Sequence, residues 1–130
     1  MYRVRRHDDR IEVEIEDETP EAVFREAIVA LGDEITEQRG GEPLAHPIAL
    51  EAPDLSRLLG DLLDELLRLE RDDSFIAERA TRLALAGTSV RAVVGGQRLI
   101  HEGTIASTDE TEVFQAEDAT WHARLVLGRE

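Results

Sequence analysis

The chain has no cysteine. Disulfides, thiolate metal sites and cysteine nucleophiles are therefore excluded, and a cytoplasmic home is the expectation. Lysine is absent as well, so all 15 bases are arginines, a bias that GC-rich coding and adaptation to high salt both produce. No apolar run approaches the roughly 18 residues that a membrane helix needs. The first ten residues, Met1 to Arg10, lack the apolar stretch of a secretory leader. These absences predict a soluble protein. At 130 residues, a single domain spanning 1–130 is expected, since a chain of this size buries roughly two-thirds of its unfolded surface without needing staples.

The charge is lopsided. Twenty-nine acids stand against 15 bases, for a formal net charge of −14. Binding to RNA or DNA over a broad face needs an excess of cations, so it is not expected here. The one basic cluster, Arg3, Arg5, Arg6 and Arg10, is interrupted by Asp8 and Asp9 and reads as a solvated strand edge.

Periodicity divides the chain into elements. Tyr2–Arg6 reads as a short strand. From Arg10 to Glu16, Ile11, Val13 and Ile15 alternate with Glu12, Glu14 and Glu16, the pattern of a half-buried strand. Thr19-Pro20-Glu21 opens a helix with a hydroxyl cap, proline at the first helical position and an acid at the positive end of the dipole. Val23, Phe24, Ala27, Ile28, Leu31 and Ile35 follow at helical spacing. Gly40-Gly41 stops continuation, and Pro43 and Pro47 predict an irregular connection. Ile48, Leu50 and Ala52 suggest a short strand. Asp54 then caps a second helix whose leucines fall at 55, 58, 59, 62, 63, 66, 67 and 69, with Arg57/Asp61 and Asp64/Arg68 as i,i+4 pairs on the far face. Beyond Asp73, extended segments are expected at 79–86, 88–94, 98–101, 104–108, 112–116 and 120–127, with Gly95-Gly96 as a hairpin turn and Gly103 as another. The predicted fold is α+β: a single, mostly antiparallel sheet with two helices packed on one face.

Catalytic chemistry finds little support. His7-Asp8-Asp9 is the densest set of metal-ligand types, and in a strand His7 and Asp9 would share a face. His46, His101 and His122 show no metal-binding spacing. Asp61, Asp64 and Glu65 have arginines one turn away and read as a solvated face. There is no nucleophile elbow and no phosphate-binding P-loop. Trp121 alternates with Ala123, Leu125 and Leu127 and reads as core or edge of the last strand, with a partner anchor as the alternative. No enzyme is expected.

The order of these segments resembles the archease family. The second helix, with Pro53-Asp54-Leu55, Leu58-Leu59 and Leu62-Leu63-Asp64-Glu65-Leu66-Leu67-Arg68-Leu69, is similar to the family's acidic, leucine-rich helix. Thr19-Pro20-Glu21-Ala22-Val23-Phe24 resembles its Thr-Leu-Glu-Glu-Ala-Phe opening, Gly41-Glu42-Pro43 its Val-Glu-Pro segment, and Trp121-His122-Ala123-Arg124-Leu125-Val126-Leu127 its last strand. The resemblance implies an archease-like α/β sandwich. It also implies an accessory protein, acidic and cytoplasmic, that activates or assists a 3′-phosphate RNA-splicing ligase in tRNA splicing or RNA repair. The ligase is then its protein partner. A divalent cation, calcium or magnesium, is the implied cofactor, with Asp8 and Glu42 as metal candidates by position.

The chain departs from the family where its function resides. Of the His-Thr-Ala-Asp motif, set against Arg5 to Asp8, the aspartate alone remains. Lys-Ala-Val-Thr-Tyr-His falls on 104–110, matching at Ala106 and Thr108. Gly128 and Arg129 stand where the family carries a terminal Asp-Ile or Asp-Val. A hard cation requires several oxygen ligands, so losing one carboxylate weakens such a site, unless Asp9 or Glu130 compensates. The alternative expectation is a divergent archease-fold interaction module that has lost its metal-dependent activity.

Overall fold

The structure is a computed structural model. It describes residues 1–100 and 105–129. Strands β1 (Tyr2–Arg6) and β2 (Arg10–Asp17) are followed by helix α1 (Pro20–Ile35), strand β3 (Glu42–Glu51) and helix α2 (Leu55–Asp73). Strands β4 (Phe75–Ala86), β5 (Ser89–Arg98), β6 (Ile105–Gln115) and β7 (Trp121–Arg129) complete the described chain.

The α+β class, the two helices and the antiparallel pairing are as the sequence predicts. The strands, however, form two sheets rather than one: β1-β2-β7-β6 and β3-β5-β4. The reason lies in α2. Its buried leucines form two adjacent rows, Leu58, Leu62, Leu66 and Leu69 beside Leu59, Leu63 and Leu67, a stripe wide enough to pack on two surfaces. Accordingly α2 contacts β6 of the larger sheet and β3, β4 and β5 of the smaller. Helix α1 packs on β2 and β7 of the larger sheet and β4 of the smaller. Each buried leucine contributes about 1.5–3 kcal/mol of gross transfer energy. The buried apolar residues of both sheets and both helices form one cluster, with Trp121 packed at its margin.

Both helix starts follow from their caps. The Thr19 hydroxyl accepts from the Ala22 amide at 3.1 Å, and the Asp54 carboxylate from the Arg57 amide at 2.8 Å. Ser74 ends α2 in the left-handed region, at φ 55°.

Other boundaries differ from expectation. Pro43 and Pro47 lie inside β3, which sits at the edge of its sheet, where missing amide donors break no ladder. Gly95-Gly96 is no turn: β5 runs straight through it as the central strand. A Cβ on Gly96 would stand 1.9 Å from the Ile76 carbonyl oxygen, so the bulged β4 backbone approaches too closely for any side chain. The segments predicted at 98–101 and 104–108 give way to β5, ending at Arg98, and to β6, unbroken from Ile105. His101, Gly103, Thr104 and Glu130 lie outside the described residues. On α2, Arg57 pairs with Asp61 at 3.1 Å as expected, but Arg68 pairs with Glu65 and Asp72 instead of Asp64. Asp64 is exposed, yet partial desolvation pushes its carboxyl above the usual range, against the pull of the Thr108 hydroxyl and Arg57.

Candidate functional site

One end of the larger sheet gathers most of the residues singled out in the sequence. Asp8 and Asp9 lie in the tight connection from β1 to β2, which is closed by the His7 amide donating to the Arg10 carbonyl at 2.9 Å. Beside them runs the end of β7. Gly128 pairs with Arg10 in register, the Arg129 amide donates to the Asp9 carbonyl at 2.9 Å, and the Arg129 guanidinium reaches the His7 carbonyl at 3.3 Å. The His7 ring stands 3.8 Å from the Glu12 carboxylate.

The third wall is the start of β6, and here the structure adds a residue that the sequence did not mark. Strand β6 shifts register between Ile105 and Ser107 and again between Thr108 and Glu110 as it runs along β7. Asp109 is the extra residue of the second shift. A bulge re-aims its side chain, and the Asp109 carboxylate turns toward Gly128. A Cβ at Gly128 would meet the Ser107 hydroxyl at 2.5 Å and the Asp109 carboxylate oxygens at 3.1 and 3.3 Å. The Ser107 hydroxyl donates to Asp109 at 2.7 Å, which fixes the carboxylate in place. Ser107 and Asp109 together thus occupy the space that a side chain at 128 would need. An exposed strand Asp carries no periodic signal, and bulges are not legible in residue spacing.

Glu42 is placed elsewhere. It opens β3 in the smaller sheet, exposed, 3.7 Å from Arg98. The two carboxylates that the sequence offered as metal ligands therefore belong to different sheets. Among the described residues, no group of three or more His, Asp or Glu gathers as a metal ion requires. Among the described residues the set falls short of what a hard cation requires, six or more oxygen ligands or waters held by several carboxylates, and Glu130 lies outside them. The other described histidines serve locally. His46 meets the edge of Phe75 with ring centres 4.5 Å apart, and His122 stacks on Phe114 at 5.2 Å.

The arrangement is thus a two-sheet α+β body whose candidate site is a turn, a strand terminus and a bulge. Comparison with known proteins places it. The Archease protein family matches residues 2–127. The chain belongs to that family. Among solved structures, this archease is similar to Methanobacterium thermoautotrophicum protein 1598, at 20% identity and TM-score 0.63, over 98% of this chain and 97% of that one. It is also similar to a Thermotoga maritima protein described as "an archease, possible chaperone", at 15% identity and TM-score 0.56, over 90% of this chain and 88% of that one. Both likenesses establish the shared fold. No curated protein sequence matches the chain. Among the described residues, no helix is long and apolar enough to cross a membrane.

Proposed function

We propose that this archease is an accessory protein, without catalytic machinery of its own, that acts on a protein partner. The partner is a 3′-phosphate RNA-splicing ligase, whose activation or turnover it promotes in tRNA splicing or RNA repair. The observation that carries this reading is the family match over residues 2–127. Charge supports it: a chain of net charge −14 is repelled by RNA but attracted to a basic, RNA-binding partner, which raises the rate of encounter. The described Thermotoga relative, a possible chaperone, is in keeping with action on another protein. The test measures guanylylation and end-joining by the cognate ligase with and without this protein. Faster guanylylation and a complex on co-purification are expected; no stimulation together with no complex refutes the proposal.

A second reading is favoured by the dispersed carboxylates and by Gly128. Here the chain is an interaction module that engages its partner without a bound cation. Calcium titration by calorimetry, on the wild type and on Asp8→Ala and Glu42→Ala, separates the two. Micromolar binding lost in either variant returns the metal-dependent activator role to Asp8 and Glu42, with calcium or magnesium as cofactor. Ligase stimulation that is unchanged by chelator supports the module.

A further inference from the structure

The outer face of the smaller sheet differs from the rest of the surface. In register across its three strands lie the rows Ala49–Arg91–Ala84 and Pro47–Val93–Arg82. These rows line a shallow groove of about 810 Å³, with Thr81 and, reaching over from α1, Arg25. Its exposed apolar side chains, Pro47, Ala49 and Ala84, are short, and no acid lines it. That is unusual in a chain with 29 acids.

The arginines here also differ from most of the others. Nine arginines elsewhere pair with carboxylates. Arg25, Arg82 and Arg91 have no carboxylate partner among the described residues; Arg25 donates to the Ala80 carbonyl at 2.8 Å, which holds it at the rim. Three unneutralised guanidiniums around a smooth apolar floor match a ligand that carries carboxylates and small apolar groups together. Nucleic acid fits poorly, because single strands need aromatic platforms for stacking and this groove has none.

We infer that this groove docks an extended, acidic segment of a partner protein. Its carboxylates lie on Arg25, Arg82 and Arg91, and its short apolar side chains on Pro47, Ala49, Ala84 and Val93. The inference does not depend on the ligase reading, since the groove is built from the smaller sheet and the candidate site lies on the larger one.

Fluorescence anisotropy tests it with two dye-labelled peptides of equal length, one alternating Asp with Val and the other Lys with Val, and with a labelled oligouridylate. The acidic peptide should bind saturably, weaken with added salt, and lose at least about tenfold in affinity in the Arg82→Glu/Arg91→Glu variant. Circular dichroism and melting temperature establish that the variant is folded; if it is not, Arg82→Gln alone should lower affinity by a smaller factor. Three results overturn the inference: no binding of the acidic peptide, equal binding of the lysine peptide, or tighter binding of the oligouridylate through the same arginines. Self-association in sedimentation velocity that disappears in the double variant would assign the groove to a second copy and also overturn it.

Discussion

The outer faces of the two sheets are built from the same geometry and opposite chemistry. On the larger sheet the rows run Arg3–Glu14–Arg124–Glu112 and Arg5–Glu12–Val126–Glu110, so acids and arginines alternate across strands. Arg124 reaches both Glu12 at 3.4 Å and Glu110 at 3.2 Å, and Arg3 lies 3.5 Å from Glu14. Most of that face's charge is matched within it. On the smaller sheet, alanine, proline and valine separate arginines that have no acid within reach. Cross-strand neighbours of opposite charge stabilise a surface mildly and leave little for a visitor, whereas guanidiniums with no carboxylate beside them leave their charge open to an incoming anion.

The smaller sheet has a close backbone approach at Gly96, and the largest effect expected is there. Gly96→Val forces a side chain into the Ile76 carbonyl and should open the smaller sheet. A loss of about 3 kcal/mol or more is expected, at the upper end for overpacking, read as a fall in the urea midpoint. A smaller effect of opposite sign is expected in the larger sheet. In its β6–β7 turn Ala119 sits at φ 70°, a conformation that costs a residue with a Cβ about 1 kcal/mol. Ala119→Gly should therefore raise the melting temperature by a few degrees, although glycine's greater freedom in the unfolded chain offsets part of the gain.

Smaller still is the effect of breaking the ion-pair lattice. Arg124→Ala should cost under about 1 kcal/mol and the loss should shrink in high salt, as chemical denaturation at two salt concentrations would reveal. If the cost is instead large and indifferent to salt, the two faces are less different than their pairing indicates.

The last prediction concerns the edge of the larger sheet. Burial, reinforced by a 2.7 Å hydrogen bond to Asp33 and by its charge, pushes the Tyr2 hydroxyl up to about 12. The raised value means the folded state holds the proton more tightly. The stabilisation is full below the unfolded value of roughly 10 and is lost as pH rises through about 12. Tyr2 is the only tyrosine, so ultraviolet titration reads it alone. Asp33→Asn should lower the midpoint toward, but not to, the ordinary value, because burial remains the largest cause.

Much of the fold is legible in the residues. The alternation of Ile11, Val13 and Ile15, the Thr19 and Asp54 caps and the leucine rows of α2 all rest on local periodicity or capping, and each is where the sequence places it. Of the candidate site, Asp8 and the strand end at Gly128 are legible through family resemblance alone. Asp109 is not, because its direction depends on a register shift against β7, a partner that lies far along the chain. Glu42 shows the converse: a matching motif places it in sequence but says nothing of which sheet receives it.

By itself, then, the sequence determined the helices, their caps, the faces of the strands and the family, because each is encoded in residues a few positions apart. The tertiary structure alone decided that the seven described strands divide into two sheets, that Gly95-Gly96 lies inside a strand, and that Ser107 and Asp109 rather than a residue at 128 fill the strand end. It also decided that three arginines from α1, β4 and β5 meet on one uncharged floor. These are matters of which strands pair and how closely their backbones approach, and they are settled by contacts between segments that no local pattern records.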